Sequence, residues 1–590
     1  MPSHHACFHA FARPRLPLAC ALGALLLAGC QSTPTSPVAA GDAAAAQRAA
    51  KSEPEAAALL AEARPTDSLA YAPPPPPPPA APAAMSTPAL RAMVMPAPMP
   101  ESAQPANTER YEHRSDNPVH RTVDQPVSTF SIDVDTGSYS NVRRMLRQGV
   151  RPPADAVRAE EFLNYFDYQH PAPVDRDTPF RVSTELAPAP WDAQRQLLLV
   201  GIKGYDVPKA TLPPTNLVFL LDTSGSMASP DKLPLLKQAF AQLVPQLRAQ
   251  DRVSIVVYAG SAGLVLPATP GDRHAQILAA LDRLEAGGST NGGEGIALAY
   301  RQARQSFIAG GVNRVILATD GDFNVGTTDQ QALETLVSDQ RQHGIALSTL
   351  GFGQGNYNDA MAEQLADIGD GHHAYIDTLQ EARKVLVEQM QATLLTIARD
   401  VKIQVEFNPA AVAEYRLIGY ENRVLREEDF ANDRVDAGDI GAGHQVTALY
   451  EITPVGAASR QLPARRYAVT GRMPPTGKAD ELAHLRLRYK QPGQQRSRLI
   501  QTPILTSSLK PQASGQLQFA ASVAAYADLL RGGTHLGSWH WNEAIDSARA
   551  HLGSDPYGLR QEMVELMQQA RQLTQAEPER GEPVAGLGQP

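Results

Sequence analysis

The sequence predicts an α/β protein built on a doubly wound, mostly parallel sheet, flanked by a β-rich domain and a C-terminal helical segment. Three observations lead there. Between residues 214 and 395, continuous apolar runs such as 216–221 alternate with stretches whose apolar residues recur every three or four positions. After residue 396 those helical intervals stop, and the runs read as strands. From residue 516 to about 573 the period is helical again, with Phe519, Val523, Tyr526 and Leu529 on one face.

The chain has 590 residues, too many for one hydrophobic core, and its 49 prolines imply that part of it stays unfolded. Residues 1–29 read as an export signal. Arg13 and Arg15 precede the apolar run 16–27, which is too short to span a bilayer comfortably. The run ends in Leu27-Ala28-Gly29-Cys30, with small residues before a cysteine as in a bacterial lipobox. That resemblance implies lipidation of Cys30 as the mature N-terminus. Cys7 and Cys20 lie in the removed segment, so the mature chain holds neither a disulfide nor a Cys-ligated zinc. Several acyl chains on Cys30 anchor firmly to a membrane. Gln31 stands where enterobacterial lipoproteins retained at the inner membrane carry aspartate. The expected location is therefore the cell envelope, at the outer membrane facing the periplasm. The formal charge is −9; removing Arg13 and Arg15 takes Lys+Arg from 53 to 51 against 62 acids, or −11. No basic stripe appears, which argues against a nucleic-acid partner.

Residues 30–118 are rich in Ala, Pro, Ser and Thr and include the proline block 73–79, a disordered tether lifting the folded part off the membrane. Residues 119–213 form an N-terminal α+β segment: a strand over 128–134, a helix through Val142, Met145 and Leu146, a second over 154–166, then strands over 180–186 and 197–202. In 214–395, strands are expected at 216–221, 253–258, 264–266 (an edge), 314–319, 345–352 and 373–376. Between them lie helices opened by Ser229-Pro230, over 273–285 and 294–307, behind a capping box at 328–331, through Met361, Leu365 and Ile368, and over 379–395. The β-rich region 396–510 has strands at 401–407, 415–420, 444–452 and 484–489. Residues 511–575 are helical, and 576–590 form a loose tail.

The chemistry gathers at the carboxyl ends of two buried strands, where open parallel sheets bind ligands. Asp222 ends the first, and Ser224 and Ser226 follow it two residues apart, so both hydroxyls can face one point beside the carboxylate. Asp320 ends the second, in Ala318-Thr319-Asp320-Gly321. Thr290 sits in the glycine-rich loop Gly287-Gly288-Ser289-Thr290-Asn291. Two carboxylates and three hydroxyls suit Mg²⁺, with Mn²⁺ or Ca²⁺ as alternatives. Mg²⁺ takes about six oxygens near 2.0–2.1 Å and usually keeps some waters. A partner's Asp or Glu can complete that shell.

This order, Asp-x-Ser-x-Ser, then Thr, then Thr-Asp-Gly, resembles the metal-ion-dependent adhesion site of von Willebrand factor A domains, with matches at Asp222, Ser224, Ser226, Thr290 and Asp320. The segments 129–135, 157–161 and 320–326 are similar to those of bacterial YfbK-like lipoproteins. That resemblance covers most of residues 127–575. It implies a Rossmann-like A domain at 214–395 between a family-specific N-terminal segment and a family C-terminal domain. Asp133, Asp135 and Ser138 have a spacing like a Ca²⁺ loop but lack its glycine and terminal glutamate, so a structural turn is expected there. His372 and His373 adjoin at a strand start and should point to opposite faces.

Three functions fit: a cation-dependent protein-binding module on the envelope, a scaffold whose cation only steadies loops, and a metal-dependent hydrolase. The first is preferred. No Gly-x-Ser-x-Gly elbow, His-Glu-x-x-His or P-loop supports an enzyme.

Overall fold

The computed structural model describes residues 111–321, 330–354, 359–466, 478 and 480–576. The expected signal, Cys30, most of the tether, the 328–329 half of the capping box and the tail lie outside them. In chain order the N-terminal elements are β1 (His120–Arg121), β2 (Val127–Ser131), α1 (Gly137–Arg147), α2 (Ala159–Tyr165), β3 (Phe180–Ala189) and β4 (Asp192–Gly204). The central unit runs β5 (Thr215–Asp222), α3 (Leu233–Leu243), β6 (Arg252–Tyr258), β7 (Ala262–Pro270), α4 (His274–Asp282), α5 (Gly292–Gln305) and β8 (Val312–Thr319). It continues with α6 (Gln330–Gln342), β9 (Ile345–Phe352), α7 (Asp359–Ile368), β10 (His373–Ile376), α8 (Leu379–Arg383) and α9 (Met390–Leu394). Then come β11 (Thr396–Phe407), β12 (Val412–Ile418), β13 (Ile440–Gly441), β14 (Gln445–Pro454), β15 (Glu481–Lys490), β16 (Arg498–Leu505), α10 (Gly515–Arg531), α11 (Trp541–Ala550) and α12 (Leu559–Ala576).

The central sheet has the order β10-β9-β8-β5-β6-β7. All its pairings are parallel except that of β6 with the edge strand β7. β5 is buried along its whole length because helices cover both faces. Its side chains alternate: Leu217, Phe219 and Leu221 pack with Leu236, Phe240 and Leu243 of α3. Val218 and Leu220 face Ile296, Ala299 and Tyr300 of α5. Burial of each such side chain contributes about 1.5–3 kcal/mol.

The segments before and after this unit share two antiparallel sheets. One has the order β1-β12-β14-β4-β3, and the other β13-β11-β15-β16, with β2 also paired to β11. Leu199 of β4 lies opposite Leu449 of β14, and Phe130 of β2 opposite Ile403 of β11. Leu198, Val200 and Ile202 point into a core shared with Ile403, Val405, Leu485 and Leu487. Leu197 and Leu199 point the other way, into a core made by α1, α2, α10, α11 and α12. The central unit is thus inserted into a sandwich built from both ends of the described chain.

Two of the expected helices are interrupted. The stretch 154–166 is a single 3₁₀ turn at Ala154–Ala156 followed by α2. Val157 and Arg158 between them are extended, because the Arg158 amide donates to the Ser138 hydroxyl at 2.9 Å rather than continuing a helix. The stretch 379–395 is divided by a π-helical turn at Lys384–Glu388. There the buried Lys384 lays its Nζ 3.0 Å from the centre of the Tyr165 ring.

Candidate metal centre

β5 delivers Asp222 to the carboxyl edge of the sheet fully buried, and β8 does the same for Asp320, which follows its last residue. Beyond Asp222 the chain turns sharply. The Thr223 amide donates to the Tyr258 carbonyl at 3.0 Å, and the Ser224 amide donates to Asp222 Oδ1 at 2.8 Å. That turn places the Ser224 and Ser226 hydroxyls 2.9 Å apart, Ser224 buried and Ser226 open to solvent. The Thr319 hydroxyl donates to Asp222 Oδ2 at 3.5 Å and accepts from the Gly321 amide at 3.1 Å, joining the two strand ends.

The loop carrying Thr290 is fastened to the same turn. The Gly287 amide donates to the Thr223 carbonyl at 2.8 Å, and the Gly225 amide to the Gly288 carbonyl at 3.0 Å. Gly288 adopts φ +85°, where a side chain is strained. Thr290 is half-buried at this rim; no side-chain hydrogen bond joins it to the other four residues among those described. All five residues therefore come from strand ends or loops at one edge: Asp222, Ser224 and Ser226 in one hydrogen-bonded turn, Asp320 next to Thr319, which bonds to Asp222, and Thr290 on the neighbouring loop.

The donor set fits a small divalent cation. Burial pushes the Asp222 carboxyl up to about 6, against hydrogen bonds from Ser224 that pull it down and with a further push from the charge of Asp320. Burial and the neighbouring acid thus disfavour the Asp222 charge unless a cation lies beside it. The Ser224 and Ser226 hydroxyls share a hydrogen bond of 2.9 Å, so both oxygens lie close enough to reach one small ion. Sequence reasoning missed one member. Lys232 Nζ lies 2.8 Å from Asp320 Oδ2, both side chains buried. The helix expected to open at Ser229-Pro230 begins instead at Leu233-Pro234, after a short turn at Gly225–Ala228, and the residues between carry Lys232 inward. Nothing in a pattern of ligand residues marks that lysine.

The stretch at Asp133 joins β2 to α1 through buried polar contacts. The Ser138 hydroxyl donates to the Ala156 carbonyl at 2.7 Å and accepts from the Arg158 amide. Asp133 accepts from the Asp135 amide at 3.0 Å and from Arg423 Nε at 3.2 Å. It also shares a buried acidic cluster with Glu161 and Glu363, one oxygen of each lying within 4.8 Å of the others. The two adjacent histidines diverge. His373 Nδ1 lies 2.9 Å from the Thr349 hydroxyl, whereas the His372 ring stands 5.2 Å from that of His444.

Comparison with known proteins agrees with this layout. The family profile described as von Willebrand factor type A domain matches residues 216–392, the extent of the parallel sheet and its helices. Those described as von Willebrand factor and as Uncharacterized protein YfbK, C-terminal, match residues 105–199 and 392–573. The chain is 48% identical over 473 residues to "Uncharacterized protein YfbK" of Escherichia coli (strain K12), covering 79% of this chain and 82% of that protein. It is 29% identical over 153 residues to inter-alpha-trypsin inhibitor heavy chain H4 of Homo sapiens, covering 24% and 16%. Among solved structures, von Willebrand factor type A from Catenulispora acidiphila is similar with 16% identity and a TM-score of 0.37, over 68% of this chain and 91% of that one.

Proposed function

Since the chain belongs to the YfbK family of von Willebrand factor type A proteins, we propose that it is a binding module that grips a protein partner through a divalent cation held by Asp222, Ser224, Ser226, Thr290 and Asp320. The observation that carries this reading is the Ser224–Ser226 hydroxyl pair, set 2.9 Å apart above a buried acidic floor with Ser226 facing solvent. Mg²⁺ suits so few carboxylates. When bound, the ion supplies a positive centre for a partner's Asp or Glu. Ser224 and Ser226 would hold it, and Asp222 and Asp320 would neutralise it. A purely structural ion fits less well. The loops around the site are already fastened by the backbone bonds from Gly287 and Gly225. The lipobox at Cys30 supports a membrane-anchored position in the cell envelope, and the proline-rich stretch supports a spacer between anchor and module.

Asp222→Ala in the full-length chain tests this reading. Partner capture from envelope extracts should be strong with Mg²⁺ and lost both in EDTA and in the variant, while the circular dichroism spectrum stays that of the wild type. Equal capture in all three conditions contradicts it.

A further inference from the structure

Lys232 gives the site something that the five-residue pattern lacks. Its Nζ donates to Asp320 Oδ2 at 2.8 Å, and both side chains are buried. Burying an ammonium beside a carboxylate strips water from both, a cost offset only by close pairing. The path of the lysine stem is also specific. It crosses Gly353 at the end of β9, where an added Cβ would stand 2.3 Å from Lys232 Cγ and 2.4 Å from its Cε. Gly353 adopts φ +73°, and its carbonyl accepts from the Tyr375 hydroxyl of β10. The ends of β8, β9 and β10 therefore combine to bring one positive charge onto one of the two acids.

A divalent ion at the serine pair draws on Asp222 and Asp320 for neutralisation. Asp320 is already shared with a full positive charge. Two cations on one carboxylate repel, and burial strengthens the repulsion. We propose that Lys232 is an internal counter-ion that competes with the divalent cation for Asp320. It neutralises the buried acid when the ion leaves, so the fold does not depend on metal. It also keeps cation affinity modest, so that the ion exchanges with its surroundings and partner binding follows ambient divalent concentration. The inference rests on the cation-site reading above and adds the residue that sets its affinity.

The test is calorimetric titration of Mg²⁺ and Mn²⁺ into the full-length chain, as wild type and as Lys232→Gln, Lys232→Met and Lys232→Arg. Removing the charge should tighten cation binding by about tenfold in the Gln and Met variants, whereas Arg, which keeps it, should stay within about threefold of wild type. The thermal midpoint in EDTA should fall in the neutral variants, and the rise on adding Mg²⁺ should exceed that of wild type. Should the Met variant fail to fold, Gln, which can still donate to Asp320, carries the comparison. Equal or weaker affinity in the Gln variant, with normal wild-type binding, overturns the role of Lys232 and leaves the site standing. Absence of cation binding in the wild type and every variant overturns the site and the inference together.

Discussion

Arg143 in α1 is 1% exposed and meets Asp377 through Nε at 2.8 Å, Glu381 at 2.8 Å, the Tyr165 hydroxyl at 2.6 Å and Glu562 at 3.2 Å. A guanidinium this deep stays charged only because its partners are equally deep, so truncating it strands buried carboxylates. Arg143→Met should cost about 3–5 kcal/mol, read as a lower urea midpoint of unfolding. Two histidines make a second prediction at this scale. Burial, helped by the charge of Lys203, pushes His444 down to about 4, and burial likewise pushes His170 to about 4. Both are neutral in the folded chain at pH values where the unfolded chain, with an ordinary value near 6.5, takes up protons. Their stabilisation is present above about 6.5 and is lost as pH falls through 4, by up to about 3 kcal/mol each. Glu160 and Asp439, pushed by burial to about 8, act oppositely, losing stability as pH rises toward 8. The histidine contribution is therefore read as a difference. A His170→Gln/His444→Gln double variant should lose less of its urea midpoint between pH 6.5 and 4.5 than the wild type does. Equal losses contradict the assignment. At this scale the sequence announces what is local. Asp222, Ser224 and Ser226 lie within five positions and Asp320 ends a recognisable apolar run, so this cluster is readable. Lys232 is not, because its partner arrives from a strand 88 residues later.

Elements follow the apolar period wherever nothing competes with the backbone. The buried central strands conform, since both faces of their sheet are covered, whereas α3 starts late and the stretch 379–395 is divided. One departure comes where a side chain takes a backbone group out of the ladder. The Ser138 hydroxyl engages both the Ala156 carbonyl and the Arg158 amide, and the period that suggests one helix over 154–166 is overridden there. Ser138→Ala leaves both groups buried without that partner. It should cost about 1–3 kcal/mol, seen as a lower thermal midpoint with little change in helix content. The edge strand β7 runs over Ala262–Pro270, beyond the three apolar residues that announce it, because antiparallel pairing with β6 extends to Ala262 and Gly263 on one side and to Thr269 and Pro270 on the other.

At the scale of the whole molecule, the chain order conceals the architecture. Residues 119–213 and 396–510 read as separate segments, yet β4 lies against β14 and β2 against β11. No local period reports a pairing between strands some 250 or more residues apart. The cost of closing so long a loop grows only slowly with its length, so the pairing is cheap to make and invisible to pattern. A fragment of residues 214–395 should fold alone, because its sheet is complete. A fragment starting at residue 396 should not, because β11 and β14 each lose a neighbour and Leu449 and Ile403 are uncovered. Near-ultraviolet circular dichroism distinguishes these outcomes. Co-expression of 111–213 with the C-terminal fragment should restore the signal, and an ordered C-terminal fragment by itself would contradict the shared sandwich.

β5 follows the sandwich strand β4 after residues 205–214 and ends at Asp222. It is flanked by β6 and β8 through seven residue pairs on each side. A load applied at the serine pair while the sandwich stays put acts on β5 along its own axis. All the rungs on both sides then resist together in shear instead of parting one by one. Such a strand behaves as a tensile rod, and single-molecule pulling between Ser226 and the sandwich should meet one high rupture force instead of a series of small ones.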